Sequence, residues 1–240
     1  LEGLVAADPN APVRQVAMID AHGNVAVHTG DLCMAEAGHR TGKHYSVQAN
    51  LMLKDTVWDA MAKAFEQSEG DLAGRMMAAL EAAEAEGGDI RGKQSAALLV
   101  VGGELTGTPW RSRPFDLRVD DHPEPLPELR RLLDVARAYR YAGEAGEIAR
   151  NEALGVERFD LARRKYAQAA EYGEALRGNV ELAFWWAVQL ASDGQWDKAT
   201  PLFRTVFASD PAWRELVPRL PKVGRLPDSP EVIERILAIR

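Results

Sequence analysis

Residues 91–101 read RGKQSAALLVV. Arg91, Lys93, Gln94 and Ser95 are polar or charged, and six apolar residues follow without a break. An apolar run of that length, entered from a polar segment, reads as a buried β-strand. Two helical patterns precede it. Val57, Met61, Ala64 and Phe65 recur at helical spacing within 54–67, with Trp58 beside them. From Asp71 to about Glu86, the residues Leu72, Met76, Ala79, Leu80 and Ala83 share a face. Asp71 suits an N-terminal cap, and Gly87-Gly88 a helix end. After the apolar run, Phe115, Leu117 and Val119 alternate with Asp116 and Arg118, a second strand reached through Gly102-Gly103 and Thr106-Gly107-Thr108-Pro109. A helix carrying Leu126, Leu129, Leu132, Leu133, Ala136 and Tyr139 follows. Helices and strands thus come in blocks, which predicts an α+β fold with an antiparallel sheet, not a doubly wound one. The polar residues before the strand have two readings: the mouth of a cleft floored by that strand, or a loop that caps it.

The front of the chain agrees with this class. Val13–Asp20 and Val25–Thr29, split by Ala21-His22-Gly23-Asn24, read as a β-hairpin. A loop with Gly30, Gly38 and Gly42 leads to a strand over Tyr45–Asn50. LEGLVAADP at the start has the character of a helix end stopped by Asp8-Pro9 and Ala11-Pro12, so the chain is expected to begin in mid-domain.

From residue 142 the strand signal disappears. FDLARRKYAQA at 159–169 matches WDKATPLFRTV at 196–206, pairing Phe159 with Trp196, Ala162 with Ala199, Tyr166 with Phe203 and Ala169 with Val206. The small residue admits a close partner helix and the aromatics fill the space beside it. The spacing resembles the second helix of a tetratricopeptide repeat, with residues 179–192 as the first helix of the second copy and 228–239 as a capping helix. In the first copy, Ala149 and Arg150 stand where a large apolar residue and glycine are usual, which leaves its first helix ill-defined. Two domains are predicted, 1–141 and 142–240, the second an all-α module that holds a protein partner.

Composition removes several classes of function. Of the 240 residues, 46% are apolar and 27% charged, an ordinary globular balance. The net charge of −7 falls mostly on residues 1–141, with 15 Lys/Arg against 21 Asp/Glu, so phosphate backbones are repelled and nucleic acid is not an expected partner. The single cysteine, Cys33, permits no internal disulfide and reads as a buried, inert thiol. His28, His39 and His44 lack metal-ligand spacing, so neither a metal nor another cofactor is expected. No apolar run approaches the roughly 20 residues that span a bilayer, and the N-terminus lacks the features of a signal peptide. No membrane association and a cytoplasmic location are expected.

Four phrases in order, AADPNAPVRQVAMIDAHGNVAVHTG (6–30), AGHRTGKHYSVQANLM (37–52), GGDIRGKQSAALLVV (87–101) and FDLRVDDHPEPLPELRRLL (115–133), closely resemble the bacterial DUF1028 family. That resemblance implies the N-terminal nucleophile (Ntn) hydrolase superfold, a four-layer αββα sandwich whose front part precedes the chain. It implies an amide hydrolase acting on a small amide or peptide-like substrate, with an N-terminal Ser, Thr or Cys as nucleophile and its own α-amine as base. Leu1 has no nucleophilic atom, so the nucleophile is expected upstream. By analogy with the superfold, a homodimer is expected.

On this reading Arg91, Gln94 and Ser95 sit at the end of a central strand and orient substrate, Arg91 and Gln94 as part of the catalytic machinery and Ser95 in binding. Asn50 would donate its amide to a developing oxyanion, and Gln48, two residues away, would share its face and bind substrate. Asp120, Asp121 and His122, between a strand and a helix, are assigned to substrate binding; paired carboxylates with a histidine could also bind a divalent ion or act as acid and base, and such a cluster also caps the following helix or holds an Arg. Trp185, Trp186 and Trp213 read as packing. The rival reading is a non-catalytic scaffold that keeps the sandwich and binds a partner through its repeats.

Overall fold

A computed structural model of the chain describes residues 1–104 and 107–240; Thr106, placed above in the connection between two strands, lies outside the described residues. These residues form two compact units, Leu1–Leu133 and Asp134–Arg240. The fold is mixed α+β, with small antiparallel sheets and many helices.

The first unit runs α1 (Glu2–Ala7), β1 (Gln15–Ile19), β2 (Val25–Thr29), β3 (Gly38–Gly42), β4 (Tyr45–Ala49), α2 (Val57–Gln67), α3 (Leu72–Ala85), β5 (Ala96–Val100) and β6 (Phe115–Val119). Each strand pairs with its neighbour in sequence, giving three two-stranded antiparallel sheets. In the first, Gln15 faces Thr29 and Ile19 faces Val25. Its turn is closed by the Asp20 carboxylate, which accepts the backbone N–H groups of His22 and Asn24 at 2.8 Å each.

β3 corrects the sequence reading, which placed a loop there. Gly-His-Arg-Thr-Gly has no apolar alternation, so pattern alone does not mark it as a strand. Its glycines admit aromatic neighbours. A Cβ on Gly38 would lie 2.5 Å from the Trp58 ring, and one on Gly42 2.0 Å from that of Tyr45. α2, which carries Trp58, lies on β3 and β4.

α2 and α3 pack on each other, and α3 lies on β5. Asp71 caps α3 by accepting the Gly74 N–H at 2.8 Å, and Gly87 and Gly88, both at positive φ, end it. Val57, Met77, Leu98, Leu129 and Leu133 are essentially inaccessible. Burying one such side chain stabilises the fold by about 1.5–3 kcal/mol. β5 is a second correction: Leu98 is buried, but Leu99 is 51% exposed and Val101 60%. Among the described residues its sheet has two strands, and α3 lies on it.

α4 (Pro125–Arg150) is one continuous helix whose first turns belong to the first unit. The sequence-based boundary at 141/142 falls inside it, because a helix running unbroken through the change in character leaves no linker. The second unit continues with α5 (Glu157–Ala170), α6 (Glu181–Ser192), α7 (Trp196–Ser209), α8 (Trp213–Leu216) and α9 (Pro230–Leu237). The matched segments are α5 and α7. Ala162 and Ala199 are both fully buried, as are Phe203 and Val206. Ala145 and Ala149 of α4 cluster with Ala162, so small residues let these two helices approach closely. The larger core gathers Phe184, Leu190, Phe203, Phe207, Val217, Leu220 and Ile236. Trp213 packs on Phe184 with ring centroids 4.7 Å apart, and Trp186 stacks on Tyr166 at 4.1 Å. Among the described residues no helix is long and apolar enough to cross a membrane.

Candidate functional site

The RGKQS segment borders a cleft of about 640 Å³ in the first unit. α3 forms one wall through Leu80, Ala83 and Glu84; residues 88–95 form the second, and Glu124 to Pro127 at the start of α4 the third. β5 contributes no lining residue, so the floor expected from the sequence is replaced by the helix lying on that strand.

Local chemistry fixes the 88–95 wall. The Leu53 N–H donates to Gly88 O at 2.9 Å and the Ile90 N–H to Leu51 O at 2.9 Å, tying the segment to residues 51–53. Gly92 has φ +100, a conformation that L side chains rarely adopt, and turns the chain out of this pairing. The backbone N–H groups of Lys93 and Gln94 and the side chains of Gln94 and Ser95 make no hydrogen bond among the described residues. On the far side the Gln94 carbonyl accepts the His122 N–H at 2.9 Å, joining the wall to the segment leading into α4.

Both cations in the cleft are neutralised. The Arg91 guanidinium grips Asp89 at 2.9 and 2.5 Å. Those hydrogen bonds hold the Asp89 carboxyl below the usual carboxylate range. A carboxyl depressed in the folded state stabilises the fold above its unfolded pKa, and that contribution is lost as pH falls through the folded value. Arg91 is well exposed, so water screens the pair and its contribution to stability is small. Lys93 reaches Glu124 at 2.9 Å and Glu84 at 3.4 Å, bridging α3 to the start of α4. Its ammonium pKa is raised, first by the hydrogen bond to Glu124. The Asp121 carboxylate, also in the lining, has no cationic partner among the described residues.

Of the residues singled out from the sequence, Arg91, Gln94, Ser95 and Asp121 meet at this cleft. Asp120 and His122 are exposed beside it, and His122 Nδ1 accepts the Glu124 N–H at 3.0 Å. Asn50 does not line the cleft; just past the end of β4, it donates to Gln15 Oε1 at 3.0 Å. Gln48 is exposed and lines an apolar hollow with Tyr45, Met61 and Phe65. The sequence reading missed Lys93 as a bridge and the N–H groups beside it; Gly92 was the available signal. It also missed Gln15. The Gln15 amide nitrogen lies 3.1 Å from Thr29 Oγ1, 3.2 Å from Gly38 O and 3.0 Å from Ala49 O, joining the first two hairpins.

The remaining candidates have structural partners. His28 Nε2 pairs with Ala11 O at 2.8 Å, His39 Nδ1 with Thr29 Oγ1 at 2.8 Å and His44 Nδ1 with Gly23 O at 3.1 Å. Among the described residues no group of three His, Cys, Asp or Glu side chains could hold a metal ion. Cys33 is partly exposed and not buried as its sequence context suggested; its thiol lies 3.4 Å from Arg14 O.

Among solved structures, the chain is similar to protein SPO2555 from Silicibacter pomeroyi, a DUF1028 protein, at 30% identity and a TM-score of 0.46. The likeness covers 55% of this chain and 56% of the other, so the chain spans about half the length of the solved relative. No curated protein matches the chain. Residues 1–129 match the profile of the DUF1028 family, a family of unknown function, and the chain belongs to it.

Proposed function

We propose that the first unit is part of an Ntn-hydrolase-like domain that hydrolyses a small amide or peptide-like substrate in the cleft, and that residues 142–240 form a tetratricopeptide-like module that holds a protein partner. The observation that carries the catalytic reading is the state of the cleft. It is metabolite-sized, both its cations are occupied by carboxylates, and its unengaged groups are neutral donors together with the Asp121 carboxylate. An anionic substrate would find no free cation in it. An amide would find N–H donors for its carbonyl at Lys93 and Gln94 and an acceptor for its N–H at Asp121. Arg91 acts as a positioning residue by fixing the 88–92 turn through Asp89.

The four-layer sandwich is supported by apolar strand residues left uncovered. Ile19 is 60% exposed on β1 and Leu99 51% on β5, as expected of sheets that bury a face against a second sheet. In this reading the mature N-terminal Ser, Thr or Cys of the full protein attacks the amide carbonyl. Its α-amine takes the proton and returns it to the leaving amine, and water then releases the acyl group.

The test is turnover of an N-acyl amide and peptide-amide panel by the protein isolated from cells, with its N-terminal residue determined by Edman sequencing. The proposal expects a free Ser, Thr or Cys and measurable hydrolysis. In Arg91→Ala, kcat/KM should fall about tenfold or more while the melting temperature stays essentially unchanged. Saturable binding without turnover or acyl adduct would instead identify a scaffold.

A further inference from the structure

The second unit contains a groove of about 470 Å³ between α4 and α6; Gly143 of α4 faces open space in it, and the Arg150 guanidinium lies over Gly146. Trp185 supplies apolar surface, its indole N–H donating to Glu181 at 3.3 Å. Three further groups on the lining are hydrogen-bond donors in want of an acceptor. Arg150 and Arg225 are exposed, and their guanidinium groups form no ion pair or hydrogen bond among the described residues; the Tyr166 hydroxyl has no hydrogen-bond partner there either. This contrasts with the first unit's cleft, where both cations are paired. The carboxylates on the lining are Glu181, which accepts from Tyr139 at 2.7 Å as well as from Trp185, and Glu147, which is exposed and unpaired. Glu147 disfavours a dense run of negative charge, and the protein's net charge of −7 repels a polyanion at long range.

We infer that this groove binds a peptide segment of a partner protein in which acidic residues alternate with large apolar ones, the carboxylates lying on Arg150 and Arg225 and the apolar side chains against Trp185. Guanidinium groups suit this because their paired N–H donors match a carboxylate. The inference rests on the proposed role of residues 142–240 as an interaction module and names what that module takes.

The experiment uses the full chain and fluorescein-labelled Leu-Glu-Leu-Glu-Leu with both ends blocked, alongside its Gln and Lys counterparts. Anisotropy should show saturable binding of the Glu peptide, weakening with salt and by about tenfold or more in the Arg150→Gln/Arg225→Gln double variant. Both arginines are exposed and unpaired, so the double variant should keep its melting temperature. Equal binding of the Gln or Lys peptide, lost in Trp185→Ala, would overturn the acidic preference and leave the module reading standing. Failure of all three peptides to bind would count against both. Competition by a single-stranded DNA oligonucleotide at the same groove, or a dimer that the double variant abolishes, would replace the peptide as occupant and overturn the inference.

Discussion

Replacing Phe184 with Ala is expected to destabilise the second unit by about 3–5 kcal/mol. Phe184 is fully buried, with ring centroids 4.7 Å from Trp213, 5.2 Å from Trp185 and 6.1 Å from Phe203. Truncation removes its transfer energy and leaves a hole bounded by large rings, which cannot collapse into it without moving the α6 and α7 backbones. Urea unfolding followed by tryptophan fluorescence reads this in a Trp58→Phe/Trp110→Phe background, since the other four of the six tryptophans, Trp185, Trp186, Trp196 and Trp213, lie in that unit. A loss below about 1 kcal/mol would mean the core is not centred on this ring.

The second large effect belongs to Gln15. Its side chain reaches both the Gly38 and Ala49 carbonyls, the Thr29 hydroxyl and the Asn50 amide, all in a half-buried setting. Gln15→Ala leaves two backbone carbonyls and the Asn50 amide without that partner. Each such group costs about 1–3 kcal/mol when water cannot replace the bond, so a total loss of roughly 2–4 kcal/mol is expected. Hydrogen exchange over residues 38–50 should accelerate in the variant, because two-stranded sheets have little stability of their own. Unchanged exchange there would show that the hairpins are held together by something other than this amide.

How far the fold was legible depended on whether one residue type forces one geometry. The α2 face was legible because apolar residues at helical spacing must turn inward, and Asp71 and Gly87-Gly88 mark the ends of α3. The face read for α3 was not: Ala73, Met77 and Ala79 are its buried residues, whereas Leu72 is 50% exposed and lines the apolar hollow with Met76 and Leu80. The α5 and α7 match was legible because a buried alanine between aromatics repeats in sequence. β3 was not, since its pairing is made by backbone groups and its glycines serve the rings of Trp58 and Tyr45, which are distant in sequence. β5 was read as buried on both faces because apolar content reports what a strand can bury, not what covers it.

The candidate site divides in the same way. Arg91, Gln94, Ser95 and Asp121 converge because the polar segment before β5 and the segment after β6 must lie side by side once those strands pair. Asn50 and Gln48 were chosen for chemistry alone: Asn50 turns to Gln15 and Gln48 lines the apolar hollow, although Met52, two residues past Asn50, borders the cleft. The Lys93 bridge depends on Glu84 and Glu124, far apart in sequence, and only the packed structure brings these carboxylates to one ammonium.

Backbone amide chemical shifts of the full chain, titrated with N-acetyl amino-acid amides, test the assignment of the cleft most directly. Saturating shifts confined to Gly88, Gly92, Lys93, Gln94, Ser95 and Asp121 are expected, and these should vanish in Arg91→Ala. Shifts centred instead on Tyr45, Met61 and Phe65 around the apolar hollow, with the 88–95 segment unmoved, would contradict the account.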